Sequence, residues 1–174
     1  MSDFKDRVIR AAKLDVGVYE EVEADKSALG QAMLVVVLSS LAAGVATIGG
    51  RGFGGMVVGT ITALISWYVW AYLTYVIGTR LLPEPQTRAD HGELLRTIGF
   101  ASAPGMIRIL GIIPLLGGIV FFLASVWMLA AMVIAVRQAL DYTSTLRAVG
   151  VCVIGWVVQA LIFGLMFALL GRGV

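Results

Sequence analysis

The amino-acid sequence predicts an all-α integral membrane protein, a bundle of five transmembrane helices with an N-terminal amphipathic helix. Of its 174 residues, 59% are hydrophobic and 14% are charged, whereas a soluble domain carries about 25% charged residues. The mean hydropathy is +0.93, and the few charges separate long uncharged runs. This composition excludes a disordered chain, a nucleic-acid-binding domain and an ordinary water-soluble enzyme.

Four uncharged runs are each long enough to cross a bilayer. They contain 24 to 28 residues, and about 20 apolar residues suffice for a transmembrane helix. The chain therefore divides into a cytoplasmic segment, residues 1–26, and a helical bundle, residues 27–174. The spans of the four runs are predicted at about 28–48, 55–79, 114–136 and 148–170.

One more segment, residues 97–113, is here named the third segment because it lies third in chain order. It is harder to assign because it is short and contains Pro104 and Arg108. As an α-helix it would reach roughly 25 Å, slightly less than the hydrocarbon core. It forms either a short span, with Arg108 reaching towards the interface, or a re-entrant segment that leaves four spans. We favour the span because the segment contains few helix breakers. Pro104 then kinks it, either as a structural feature or to open a cavity or lipid-facing groove.

The distribution of Lys and Arg predicts a cytoplasmic N-terminus. With five spans, ten of these residues lie on the cytoplasmic side and three on the other side. The re-entrant alternative also gives ten to three, so the positive-inside rule fixes the N-terminus without fixing the number of spans. Five spans place the C-terminus outside.

The segment from Asp3 to Asp25 is interpreted as one amphipathic helix, because Phe4 and Val8 begin an apolar repeat near helical spacing. Two interpretations are open. The apolar face lies on the membrane or docks a partner, or the helix is solvated and packs on its own bundle.

The candidate chemistry inside the chain is sparse. The single Cys152 and single His91 exclude a disulfide framework and a zinc site of several Cys or His ligands. Asp90 and Glu93 flank His91, but we expect them to cap a helix rather than bind a metal. Gln159, the deepest large amide, is expected to face protein rather than lipid. We therefore predict no catalytic, cofactor-binding or metal-binding residue and no cofactor.

The turn between the last two spans is predicted to be tight and held by its own caps. Arg137 ends one helix, where a cation complements the negative end of the dipole. Thr143 or Ser144 caps the next helix. Asp141 lies between Arg137 and Arg147 in the sequence and is expected within reach of either.

Two stretches, Leu94–Pro104 and Ala135–Ala148, together with the order of cytoplasmic segment and spans, are similar to the bacterial branch of the Yip family, membrane proteins named for interacting with Ypt/Rab GTPases. The first resembles the small-residue-plus-Pro pattern of the third span. The second resembles the short loop between the fourth and fifth spans. The resemblance covers the chain from about Ala28 and implies a five-helix bundle with a cytoplasmic N-terminus. It implies no established activity, because the trafficking roles of eukaryotic members do not transfer.

These observations predict a non-enzymatic scaffold, membrane-organising protein or accessory subunit of a membrane complex, in the bacterial cytoplasmic membrane. The alternative is a small transporter or lipid-handling channel. The expected partners are membrane lipids and either other membrane-protein subunits or further copies of the chain, and nucleic acid is not expected. The residues selected as structural or interaction candidates are Phe4, Val8, Pro104, Arg108, Arg137, Asp141 and Gln159.

Overall fold

The computed structural model describes residues 3–113 and 115–170, which are all helical or irregular. Three shorter helical pieces occur in it, a 3₁₀ turn (Lys26–Ala28), a π turn (Ile77–Leu81) and a 3₁₀ helix (Ala103–Ile112). The α-helices are α1 (Phe4–Ala12), α2 (Val16–Ala24), α3 (Leu29–Ala46), α4 (Ile48–Val76), α5 (His91–Phe100), α6 (Gly117–Ala139) and α7 (Thr145–Leu170).

Four helical segments in the described residues are long and apolar enough to cross a membrane. They confirm the predicted all-α class with candidate membrane-spanning helices, and they overlap the four long runs of the sequence. Most of their large apolar side chains face outwards, as expected of helices that lipid surrounds. The turn residue Pro114 lies outside the described residues. The four segments are Lys26–Ala46, Gly52–Leu81, Gly117–Ala139 and Thr145–Ile162.

The glycine-rich connection between the first two long helices is itself helical. Residue Thr47 alone separates α3 from α4. Gly52 then adopts φ 63°, ψ −176° within α4, a conformation that glycine reaches without steric cost. This residue therefore joins a first helical turn to the long helix that follows.

The predicted span at residues 97–113 is not a continuous kinked helix. The α5 helix ends at Phe100, and a 3₁₀ helix begins at Ala103. Pro104 lies at the start of this 3₁₀ helix, where its missing N–H costs least. The next amide, Gly105 N–H, donates to the carbonyl of Ser102 at 2.9 Å. The proline therefore stands where one helix type replaces another.

This third segment nevertheless runs along the bundle in the same direction as α3. A Cβ on Gly99 would lie 2.7 Å from Ala32 Cβ, and one on Gly111 would lie 3.3 Å from Ala46 Cβ. The contacts thus advance together from the start to the end of both elements. The segment therefore runs beside α3 from the start of that helix to its end.

The N-terminal segment is two helices, so the prediction of one amphipathic helix from Asp3 to Asp25 was wrong. The break falls at Lys13–Asp15, where Leu14 has φ 63°. Asp15 begins the second helix, because its carboxylate accepts the Gly17 N–H at 2.9 Å and caps α2. An N-cap residue has non-helical backbone angles, so α1 cannot continue through it. The same carboxylate pairs with Arg10 at 2.7 Å.

The two helices α1 and α2, here named the cap, pack on the end of the bundle. Val18, Tyr19 and Val22 are fully buried, and α2 contacts α5 and α6. The Tyr19 hydroxyl donates to the carbonyl of Ala11 at 3.2 Å and joins the two cap helices. The cap is therefore part of the hydrophobic core.

Candidate functional site

Arg7 fastens the cap to the first long helix through a buried set of polar bonds. Its side chain is 3% exposed. Its Nε atom lies 2.9 Å from Glu21 Oε1, its Nη2 lies 2.8 Å from Asp25 Oδ2, and its Nη1 donates to Gln31 Oε1 at 3.0 Å. Burial disfavours the charge, but the bonds to Asp25 and Glu21 outweigh it and raise the pKa of Arg7.

Arg96 fastens the other side of the cap. It is 5% exposed, and its guanidinium donates to the carbonyls of Val22, at 2.9 Å, and of Glu23. These carbonyls belong to the last turn of α2, where helix carbonyls have no partner in the helix and carry partial negative charge. A buried cation thus replaces the missing hydrogen bonds.

Glu84 joins the loop between α4 and α5 to the turn between α6 and α7. Its carboxylate accepts from Thr143 N–H at 2.9 Å, from Thr143 Oγ1 at 2.8 Å and from Ser144 N–H at 3.3 Å. These bonds, led by the Thr143 amide, lower the pKa of Glu84. The loop and the turn therefore lie at the same end of the bundle as the cap.

The ion pair of this turn differs from the one expected. Arg147 pairs with Glu84 at 3.4 Å and donates to the carbonyl of Pro83 at 2.7 Å, whereas the sequence placed Asp141 within reach of Arg137 or Arg147. Asp141 stands at φ 53° and is exposed. The proximity of residues 141 and 147 in the sequence gave no sign of a partner about sixty positions away.

The helix caps of the turn agree with the sequence. Arg137 lies in the last turn of α6, and it donates to the carbonyls of Tyr142, at 3.2 Å, and Thr143, at 3.4 Å. Ser144 Oγ accepts the N–H of Arg147 at 3.4 Å, at the start of α7. Asp90 and Glu93 form a reciprocal capping box on α5, which confirms their expected role.

A surface pocket of about 480 Å³, here named the cap pocket, lies between the cap, α5 and the turn. Burial, with the charges of Glu93 and Asp141, raises the pKa of Glu23 to about 7. Carboxylates outnumber cations on its wall, which favours a cationic group inside it. Within residues 3–113 and 115–170, no cluster of His, Cys, Asp and Glu is placed to hold a metal ion. The lining residues are Glu20, Glu23, Ala24, Glu93, Arg137, Gln138, Asp141 and Tyr142.

A second space of about 310 Å³, here named the bundle cavity, lies among α3, α4, the third segment, α6 and α7. Indole rings and methionine side chains form much of its wall, and serine hydroxyls, Gln159 and Arg108 add polar groups. Gln159 thus faces the inside of the bundle. The lining residues are Val36, Ser39, Ser40, Ala63, Ser66, Trp67, Trp70, Ile98, Ser102, Arg108, Met128, Met132, Trp156 and Gln159.

Arg108 separates the bundle cavity from a neighbouring space of about 240 Å³ that it also lines. Its Nη2 donates to Ser125 Oγ at 3.2 Å, and its guanidinium carbon lies 5.6 Å from the centre of the Phe121 ring. Ser125 is two turns inside α6, counted from Gly117. The guanidinium therefore contacts α6 about two turns from its first residue, and its reach towards the interface stays a prediction.

The helical bundle, its N-terminal segment and its third segment can be compared with known families. A family model described as the Yip1 domain matches residues 17–168. The chain belongs to the Yip1 domain family. No curated protein and no solved structure matches it. The family match covers α2 to α7, so it includes both the cap pocket and the bundle cavity of this Yip1 domain.

The Yip1 fold brings the candidate residues together in two groups. Arg137 and Asp141 line the cap pocket, and Arg108 and Gln159 line the bundle cavity. The remaining candidates serve packing. Phe4 and Val8 are partly buried against the core, and Pro104 is buried at the start of the 3₁₀ helix.

The sequence did not indicate the buried charged residues that hold the cap and join the α4–α5 loop to the α6–α7 turn in this Yip1 domain. Arg7, Glu84 and Arg96 are each less than a tenth exposed, yet each stands in a charged, polar stretch that is typical of solvated loops and helices. The one available signal is that Arg7 shares the helical face of Ala11, which is fully buried.

Proposed function

We propose that this Yip1 domain protein is a non-enzymatic scaffold or accessory subunit that binds a partner at the cytoplasmic face of the membrane. The observation that carries the proposal is the cap, which forms a folded platform with the acidic cap pocket recessed in it. A partner with a Lys- or Arg-rich cytoplasmic segment complements that pocket.

The fixed position of the cap supports a docking role. Arg7 and Arg96 bind it from two sides, and Gln138 Nε2 donates to Glu20 Oε1 at 2.8 Å across the pocket wall. A platform held in this way loses little conformational freedom on binding, which favours affinity.

The proposal includes five spans, a cytoplasmic N-terminus and an external C-terminus, in a bacterial cytoplasmic membrane. The third segment supports this count because a 3₁₀ helix rises about 2.0 Å per residue, against 1.5 Å in an α-helix. Residues 97–112 then reach roughly 28 Å, close to the hydrocarbon thickness. The contact of Glu84 with Thr143 also supports this count, because it puts the α4–α5 loop and the α6–α7 turn at the same end of the bundle. The third segment and α6 between them then make two passes, and α7 makes the fifth.

The test is purification in mild detergent, followed by mass spectrometry of the proteins that remain bound. The double variant Glu20→Gln plus Asp141→Asn removes two charges of the pocket, and Asp6→Asn removes an exposed carboxylate elsewhere on the cap. We expect the first to lose a partner that the wild type and Asp6→Asn retain. A set of bound proteins that is the same in all three contradicts the proposal.

A second candidate function is transport of a small molecule or handling of lipid. The observation that favours it is the bundle cavity. Liposomes containing the purified protein distinguish the two. The scaffold proposal predicts that neither a fluorescent lipid nor a small solute crosses faster than in empty liposomes. Transfer that Arg108→Gln abolishes would establish the second function instead.

A further inference from the structure

Arg108 lies at the wall of the bundle cavity and has no Asp or Glu side chain near it in the sequence or the fold. All eleven acidic residues occur at positions 3–25, 84–93 and 141. Those positions belong to the cap, the loop between α4 and α5 and the turn before α7, which meet at one end of the bundle. Arg108 stands towards the opposite end, beside Phe121 and Ser125 of α6.

The hydrogen-bonding capacity of this guanidinium is mostly unused by the described residues. A guanidinium carries five N–H donors. One bond joins Nη2 to Ser125 Oγ, but that oxygen donates its own proton to the Phe121 carbonyl at 2.7 Å. Nε is enclosed and has no acceptor among the described residues. Arg108 is partly exposed at the wall of the membrane-spanning bundle, where a charge with an enclosed and unpartnered N–H favours an anion or further acceptors.

The bundle cavity gives such an anion a place to bind. Its volume of about 310 Å³ corresponds to about ten water molecules at liquid density, which is enough for a lipid headgroup. Ser66 and Gln159 add hydrogen-bonding groups to the wall. Trp156, on the same wall, is 54% exposed, so the cavity borders the surface that faces the lipid.

We propose that the bundle cavity binds the headgroup of an anionic phospholipid, with phosphate oxygens accepting hydrogen bonds from Arg108. The acyl chains remain in the bilayer beside the exposed apolar side chains of α7, such as Leu161 and Leu165. Basic pockets between transmembrane helices bind anionic lipid headgroups in this way. This lipid site is independent of the partner proposed for the cap pocket.

A second copy of the chain is a poorer source of the anion. The acidic residues of every copy lie outside the long apolar runs, so its membrane helices bring no carboxylate to the level of Arg108. An anionic phospholipid is abundant in the membrane and carries both the charge and the apolar chains that the site requires.

Native mass spectrometry of protein taken from mixed phosphatidylglycerol and phosphatidylcholine nanodiscs tests the site. We expect the wild type to retain one phosphatidylglycerol through detergent washing that removes phosphatidylcholine. Arg108→Gln should reduce this retention at least tenfold. Arg80→Gln, which neutralises an exposed arginine at the end of α4, should leave it unchanged.

A second variant tests the site in case Arg108→Gln does not fold. Ala63→Leu keeps the charge but fills space that both cavities share, and it should also lower retention of phosphatidylglycerol. Retention equal to wild type in both variants would overturn the proposal. So would equal retention of the two lipids, or displacement of the lipid by millimolar inorganic phosphate, which would identify a site for the free anion.

Discussion

At the scale of single residues, three arginines of the fold have different roles: Arg7 and Arg96 are buried, whereas Arg108 is partly exposed. Arg7 and Arg96 bind carboxylates and helix carbonyls of the cap, so their charges are compensated within the chain. Arg108 contacts a hydroxyl and an aromatic face, neither of which carries a negative charge. Arg7 and Arg96 are therefore structural, because acceptors of the chain surround them. The guanidinium of Arg108 has fewer such acceptors and is available to a ligand.

Replacing Arg7 tests the structural role. Arg7→Met keeps the side-chain length but leaves Glu21 and Asp25 without their shared cation. We expect a loss of about 2 kcal/mol in the free energy of unfolding, less than for a fully enclosed pair because both carboxylates are partly exposed. Denaturant titration in mild detergent measures it. Lys5→Met, on the exposed face of α1, is the control, and an equal loss in both variants would show that Arg7 has no special role.

Glu23 makes the folded protein less stable as the pH rises, whereas most carboxylates have the opposite effect. Its pKa rises from an ordinary 4.5 to about 7, so the folded protein holds this proton more tightly than the unfolded chain. Its contribution to stability is complete at low pH and is lost as the pH rises between these two values. Arg96 favours the charged form of Glu23, whereas Glu20, Glu93 and Asp141 oppose it.

The prediction is that wild type loses more stability than Glu23→Gln when the pH rises from 5 to 8. Burial lowers the pKa of His91, so His91 stabilises the fold as the pH rises through its ordinary range. Because His91 is present in both proteins, the difference between their thermal unfolding midpoints at each pH isolates Glu23. A difference that does not change with pH would refute the assignment.

At the scale of elements, the third segment changes from an α-helix to a 3₁₀ helix, which lengthens it for the same number of residues. Its 3₁₀ helix covers more distance per residue than an α-helix and brings its backbone against α3 and α6. The close approach depends on Gly105. A Cβ there would lie 2.1 Å from Ser39 Oγ and 2.8 Å from Met128 Sδ.

Gly105→Ala is therefore expected to destabilise the protein by about 1–3 kcal/mol, because the side chains of Ser39 and Met128 must leave their packed positions. Gly59→Ala is the matched control, since a Cβ at Gly59 meets nothing within 4 Å. Thermal unfolding of both variants in the same detergent measures the difference. Equal midpoints would show that the packing around Gly105 is loose.

Elements whose signals are local could be predicted from the sequence. The capping box of Asp90 and Glu93 and the Ser144 cap depend on residues within four positions, and the long spans depend on composition alone. The break at Leu14 could not be predicted in the same way. It depends on Asp15 capping α2 and binding Arg10, and on buried contacts of both helices with the bundle, which amphipathic spacing does not reveal.

At the scale of the whole molecule, the membrane class followed from composition, whereas the two candidate sites did not. The cap pocket joins residues from positions 20 to 142, and the bundle cavity joins residues of α3, α4, the third segment, α6 and α7. Gln159 and Arg108 were notable individually because polar residues are costly in apolar spans. Their meeting on one wall required the order and direction of the helices.

The central claim is that the third segment crosses the membrane and leaves the cap and the α6–α7 turn on the cytoplasmic side. Single cysteines at Leu115 and Thr145, in a Cys152→Ala background, test it directly with a membrane-impermeant thiol reagent. Leu115 is 97% exposed and precedes α6, and Thr145 begins α7 at the cap end. We predict that Leu115→Cys reacts in intact cells and that Thr145→Cys reacts only after lysis. The reverse pattern would establish four spans with a re-entrant third segment and contradict the account.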